Sequence, residues 1–312
     1  MHTSLRKLIT IILVLATYGS SFSQEINSAK LLKHIEYLSS DALQGRKPLS
    51  QGSLLAQNYL LEALTGLKGV SPLYPDFIQR FSFDNPREKK NYAGAANIVA
   101  YLPGLSSEKL IVVTAHYDHV GIGRRNAEGD SIYNGADDNA SGTAALLVLA
   151  EYFSKNRPQH GMVFVALDAE EMGLRGAKAL VENFPRPLGQ ILLNVNMDML
   201  SRSEAKEVYA SGTHYYPQFK TILEKSPTVG TATLRFGHDT PGTGSEDWTR
   251  SSDHGAFFDK KVPHLYFGVE DHADYHQPSD EFARIHPEFY VDTVNLILKA
   301  LLALDQGLLT RP

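Results

Sequence analysis

The order of apolar and polar positions divides the chain into two styles. Over residues 25–68 the apolar residues recur at helical spacing. Leu31, Leu32, Ile35 and Leu38 share one face, as do Leu54, Leu61 and Leu64, with Leu60 and Leu67 alongside. Gly45-Arg46-Lys47-Pro48 separates the two runs as a loop. Residues 69–95 read as loop-rich, with Phe77 to Phe83 alternating like an edge strand. From residue 96 short unbroken apolar runs take over. Asn97 to Leu102 stops at Pro103-Gly104, and Lys109 to Ala115 carries Leu110-Ile111-Val112-Val113. Met162 to Leu167 and Ile191 to Val195 are of the same kind, and Glu207 to Ala210 and His264 to Val269 are shorter. Helical patterns lie between and after them: Gly142 to Lys155, which reads as amphipathic, Leu174 to Phe184, and a closing helix over Pro287 to Leu304.

Strands alternating with helices predict an α/β fold with a mixed, mostly parallel central sheet and helices on both faces. No repeat, low-complexity tract or linker divides the chain. The expectation is one domain over residues 24–312 with a helical N-terminal portion.

The first residues read differently. Arg6 and Lys7 precede an apolar run, Leu8 to Ala16, that is too short to span a bilayer. Ser21-Phe22-Ser23 before Gln24 suits a signal peptidase cut. Residues 1–23 are therefore expected to be a cleaved signal peptide, in preference to a membrane anchor or a buried first helix. The mature chain would be exported, periplasmic or extracellular, and without stable membrane association. Formal net charge is −5 and no basic cluster occurs, which argues against a nucleic-acid partner. The chain has no cysteine. Disulfides are excluded, and metal ligands have to come from His, Asp and Glu.

Five segments supply that chemistry: His116-Tyr117-Asp118, Gly135 to Gly142 with Asp137-Asp138, Glu170-Glu171, Asn196-Met197-Asp198-Met199, and Tyr275-His276. Three of them follow apolar strands, and ligands of open α/β sheets bind beyond the carboxyl ends of the strands. Loops are polar in any case, which explains one such segment well and the whole set poorly. The two-residue offset of His116 and Asp118 puts both side chains on one side of an extended chain, where Asp118 can accept a hydrogen bond from the imidazole and fix its tautomer. Asp137-Asp138 exceeds what a helix cap at Asn139 or Ser141 requires, and Asp138 can offer one oxygen to each of two cations. Adjacent Glu170 and Glu171 repel unless a cation is near. One can hold metal while the other takes a proton from water. His276 competes as a ligand with His238, His254, His264, His272 and His286, and spacing alone does not choose among them.

The ordered set resembles the zinc exopeptidases that include bacterial leucyl aminopeptidases and glutamate carboxypeptidase. The matching segments are His116-Tyr117-Asp118, Gly-Ala-Asp137-Asp138-Asn-Ala-Ser-Gly, Glu170-Glu171-Met-Gly-Leu-Arg-Gly, Asn-Met-Asp198-Met, Ser252-Asp253-His254 and Tyr275-His276-x-Pro-x-Asp280. Asp41-Ala-Leu-Gln-Gly45-Arg46 is similar to the family's N-terminal helical portion. The resemblance implies a three-layer sandwich and two zinc ions, with Co2+ or Mn2+ as substitutes. It implies Asp138, Glu171 and His276 on one ion, and Asp138, His116 and Asp198 on the other. It further implies Glu170 as general base, Asp118 as the residue orienting His116, and a cis peptide after Asp138. Tyr266 is the candidate for a tyrosine that stabilises the oxyanion, with Tyr275 as competitor. No protease-associated insert domain is visible. Phe257 and Phe258 are candidates for the specificity pocket, although aromatics at that spacing are more often core.

The leading expectation is a secreted two-zinc aminopeptidase acting on peptides. Three alternatives stand beside it: a single-zinc glutaminyl cyclase, a carboxypeptidase-type exopeptidase and a binding module that has lost its metal. The carboxypeptidase requires a basic pocket, for which Arg124, Arg125, Arg175 and Arg202 are near in sequence. Nothing in the sequence sets the oligomeric state.

Overall fold

A computed structural model describes residues 25–308 of the chain. The expected signal peptide lies outside the described residues. The helical N-terminal portion is α1 (Ser28–Leu38) and α2 (Gln51–Thr65). Both start on a side-chain cap: Asn27 accepts from the Lys30 N–H and Ser50 from the Ser53 N–H. β1 (Ser71–Pro72), β2 (Ile78–Asn85), β3 (Lys90–Leu102) and β4 (Ser106–His116) follow. A two-stranded ribbon, β5 (Gly121–Ile122) and β6 (Ile132–Tyr133), precedes α3 (Gly142–Lys155). Next come β7 (His160–Leu167), α4 (Arg175–Glu182), β8 (Ile191–Met197), β9 (Glu207–Ser211) and α5 (Pro217–Leu223). β10 (Thr228–Val229), β11 (Ala232–Phe236), α6 (His254–Asp259), β12 (His264–Gly268) and α7 (Pro287–Gly307) complete the chain.

One large sheet runs in the order β1-β3-β7-β4-β8-β12-β9-β11-β10, with β2 paired on β3. Its centre, β7-β4-β8-β12, is parallel. β9 and β11 also run parallel to each other, while the remaining contacts on both margins are antiparallel. The sheet is mixed, as expected. Its parallel character belongs to the strands whose apolar runs are unbroken, because these are covered on both faces.

Alternation along β4 shows how one strand serves two cores. Ile111, Val113 and Ala115 enter the larger apolar cluster with α1, α2, α3 and α7. Leu110 and Val112 enter the smaller one with Ala177, Leu180 and Val181 of α4 and Ala256 and Phe257 of α6. The result is the three-layer α/β/α sandwich. Burying each large aliphatic side chain contributes roughly 1.5–3 kcal/mol. α3 is buried from Gly142 to Phe153 rather than one-sided, because α1 and α2 cover the face turned away from the sheet. Phe257 is fully buried in the smaller core, and Phe258 packs against Tyr215 and His264, so the structure assigns both to packing.

The register levels the carboxyl ends of the central strands. His116 pairs with Leu167, Thr114 with Asn196, and Tyr266 with Asn196. Every residue just beyond these ends faces one rim. Among the described residues no helix is long and apolar enough to cross a membrane.

Candidate metal centre

His116 is the last residue of β4, and Asp198 follows β8 by one position. Their side chains meet at 3.2 Å, His116 Nε2 to Asp198 Oδ1. The same Nε2 lies 3.4 Å from Asp138 Oδ1. The other oxygen of Asp138 faces a second group. His276 Nε2 is 3.0 Å from Asp138 Oδ2 and 3.2 Å from Glu171 Oε2. Two sets of donors, each converging within 4.8 Å, therefore share Asp138. All five ligands expected from the sequence come together, in the two expected sets.

A sixth residue joins them. His119 is fully buried, and its Nδ1 is 2.7 Å from Glu171 Oε1 and 3.7 Å from Asp138 Oδ2. Sequence reasoning weighed only histidines beyond residue 213 as competitors. The signal was present, since His119 adjoins Asp118 at the same strand end.

The loops that carry these donors are tied down by side chains. The Asp138–Asn139 peptide is cis, as expected from the resemblance. Asn139 accepts from the Gly142 N–H and donates to the Met197 carbonyl, which fastens the turn to β8. Asp280 accepts from the backbone N–H groups of Asp137 and Asp138 at 2.9–3.1 Å. Asp137 in turn accepts from Ser201 and His272. Arg46, in the segment similar to the family's N-terminal portion, is a buried clamp. Its guanidinium donates to the carbonyls of Leu38, Tyr117, Asn134 and Gly135 and so joins the His116 and Asp138 loops to the helical portion.

Asp118 acts differently from the expectation. Its carboxylate is 3.8 Å from His116 Nδ1, too far for a hydrogen bond. It accepts instead from the Glu170 N–H at 2.9 Å and, more weakly, from the Glu171 N–H at 3.4 Å. The imidazole Nδ1 is closer to the Asp118 backbone carbonyl, at 3.2 Å. The reason is the turn after β7: it presents two free N–H groups, and a buried carboxylate satisfies both.

Charge explains why cations belong here. Asp138, Glu170, Glu171 and Asp198 crowd into one buried volume with three imidazoles. Burial disfavours the Asp138 charge, but His119, His116 and His276 outweigh it and hold its carboxyl well below the usual range. Burial and Asp138 oppose ionisation of Glu171, which His119 and His276 nonetheless hold at about 2. Glu170 goes the other way. Burial pushes it well above the usual carboxylate range, opposed by His116 and reinforced by Asp253, Glu171 and Asp198. The donor set of imidazoles and carboxylates fits zinc.

A cavity of about 260 Å³ opens on the centre and is lined by Glu170, Asp198, Met199, Trp248, Val269, Asp271 and other residues. Tyr266 and Tyr275 both border it. The Tyr266 hydroxyl donates to the Asp198 carbonyl at 3.2 Å. Tyr275 stacks on the His276 ring, with centroids 4.0 Å apart. No lysine or arginine lines the cavity among the described residues. Arg124 and Arg125 border a separate cavity, Arg175 donates to the Met172 carbonyl, and Arg202 pairs with Asp274. Arg202 also borders a neighbouring cavity that shares Asp271 with this one.

Residues 97–301 match the family model described as Peptidase family M28. The chain belongs to peptidase family M28. Aminopeptidase YwaD of Bacillus subtilis is 28% identical over 200 residues, covering 61% of this chain and 40% of that protein. The fold is similar to a zinc-dependent exopeptidase from Parabacteroides distasonis at TM-score 0.70 and 16% identity, covering 89% of this chain and 98% of that one. It is also similar to a Bacteroides thetaiotaomicron glutaminyl cyclase at TM-score 0.69 and 17% identity, covering 89% and 98%. This M28 chain spans about a third of the length of the curated relatives it matches, probable zinc metalloproteases among them.

Proposed function

We propose that this M28 protein is an exported two-zinc aminopeptidase that removes N-terminal residues from peptides. The observation that carries the reading is the shared Asp138, whose two oxygens face two separate donor sets. A single-metal site has no use for the second set, His116 and Asp198. Export rests on the basic and apolar opening of the sequence, and a mature N-terminus near Gln24 in fractionated cells tests it.

His116, Asp138 and Asp198 would hold one zinc, and Asp138, Glu171 and His276 the other. Bound zinc supplies Lewis acidity, polarising the scissile carbonyl and acidifying a water. Glu170 lines the cavity without belonging to either donor set. It takes the proton of the attacking water and returns it to the leaving amine nitrogen. Burial, which raises its affinity for a proton, suits a group that must accept one and then return it. The Tyr266 hydroxyl is engaged by the Asp198 carbonyl, so of the two candidates Tyr275 is the freer to donate to the developing oxyanion. Asp118 fixes the turn on which Glu170 and Glu171 sit. Glu170, Asp198 and Asp271 face a cavity lined by no lysine or arginine among the described residues, which suits the ammonium of a free N-terminus better than a substrate carboxylate.

The test is a panel of peptides with free and acetylated N-termini. Chelator-sensitive release of amino acids from the free set alone supports the reading. Cyclisation of N-terminal glutamine without peptide hydrolysis would replace it with the cyclase.

A further inference from the structure

His119 has no role in the mechanism above, yet it lies deeper in the centre than His276. His119 is fully buried, whereas the His276 side chain is 40% exposed. The His119 ring is fixed by its surroundings. It packs so closely on Gly135 that a Cβ there would fall 2.5 Å from His119 Cδ2. Its Nε2 is buried without a hydrogen-bond partner, so Nδ1 is the ring atom in use.

Nδ1 faces the oxygens that His276 faces. Glu171 divides its carboxylate between the two rings, with Oε1 at 2.7 Å from His119 and Oε2 at 3.2 Å from His276. Asp138 Oδ2 lies 3.7 Å from His119 and 3.0 Å from His276. For zinc–ligand bonds of about 2.0–2.2 Å, tetrahedral donors stand roughly 3.3–3.6 Å apart. Three of these four separations, 3.0, 3.2 and 3.7 Å, lie within about 0.3 Å of that spacing, the 2.7 Å from His119 to Glu171 is shorter, and the four donor atoms converge within 4.8 Å. Among the described residues the other set holds His116, Asp138 and Asp198 alone.

We infer that His119 is a fourth protein donor to the metal held by Asp138, Glu171 and His276, which makes the two metal positions unequal. The four-donor position fills first and holds its ion more tightly. The three-donor position keeps more of its coordination open and exchanges more readily. The inference rests on the two-metal reading but makes a separate demand on one ring. A histidine that only hydrogen-bonds to Glu171 would orient that ligand without touching metal.

The test is zinc binding to chelator-stripped full-length protein, read by competition with a chromophoric chelator and by X-ray absorption at one equivalent. Wild type should bind a tight and a weaker equivalent, with two imidazoles around the first. His119→Ala should weaken the tight equivalent by more than about 100-fold, beyond the usual 10–100-fold loss on removing an outer-sphere partner. It should also leave one imidazole there. His116→Ala should weaken only the second equivalent. His119→Asn, a smaller change in volume, guards against loss of folding and should repeat the imidazole count of the alanine variant. An unchanged imidazole count in both His119 variants overturns the inference, whether or not affinity falls. A wild type that binds one equivalent instead overturns the two-metal reading, and the imidazole count at that ion still decides the role of His119.

Discussion

The two donor sets of the candidate metal centre are built on different supports. His116 and Asp198 ride on the ends of β4 and β8, where the parallel ladder sets their positions. Glu171, His276 and His119 ride on loops, and His276 has a positive φ of 53°. The strand ends take most of their restraint from the ladder, with Arg46 on the Tyr117 carbonyl and Thr143 on the His116 carbonyl in addition. The loop half is held by Asp118 beneath Glu170 and Glu171, Asp280 beneath Asp137 and Asp138, and Arg46 against Gly135. Where the ladder stops, buried charged side chains take over its work. Asp138 belongs to both halves.

The sharpest way to break this comparison is to remove the shared residue. Asp138→Ala should lose both zinc equivalents and all measurable turnover. Retention of one equivalent at wild-type affinity in a metal titration would show that the halves are independent. Glu170→Gln should keep both metals and lower kcat by about 10²–10⁴, the usual contribution of a general base. Unchanged peptide hydrolysis would remove Glu170 from that role.

The restraints come next. Arg46→Met leaves four buried carbonyls without their donor and should destabilise the fold by about 3 kcal/mol or more in denaturant unfolding. A change below about 1 kcal/mol would mean that the clamp is dispensable. Asp280→Ala frees the Asp137–Asp138 turn and should weaken zinc binding by roughly 10–100-fold. Equal affinity in the variant would show that the loop holds its shape without that carboxylate.

The smallest effect lies away from the centre. Burial, with Lys30 adding, lowers the His34 pKa from 6.5 to about 4. The folded state thus takes up its proton later than the unfolded one. The His34 contribution is full above about pH 6.5 and falls away between there and about pH 4. His34→Gln should flatten that part of the stability–pH curve by at most about 2 kcal/mol, given partial exposure. An unaltered curve would dissociate His34 from the acid sensitivity.

Legibility followed the same division between strand and loop. Unbroken apolar runs marked β4, β7 and β8, and with them the rim that bears His116, Glu170 and Asp198. β10 and β11 were not anticipated, because Thr228–Val229 and Ala232–Phe236 are too short and too polar to stand out from loop. α6 was read only as a pair of phenylalanines. β3 begins at Lys90 rather than at residue 97, since its first half is an exposed hairpin arm on β2 that needs no apolar run. The five expected ligands came from motif order. His119 was missed because one histidine already served that segment, and the true partners of Asp118 were hidden because they are backbone groups of a turn some fifty residues away. Spacing along the chain announces side chains that point the same way. It does not announce which carbonyl or N–H will lie beneath them.

Zinc titration into stripped protein, with release of the N-terminal residue from an unblocked peptide followed at each addition, tests the account most directly. Activity that stays low through the first equivalent and rises to a plateau at two equivalents per chain is the predicted result. Full activity at one equivalent, or turnover that ignores added zinc and chelator alike, would contradict a centre built around a shared Asp138.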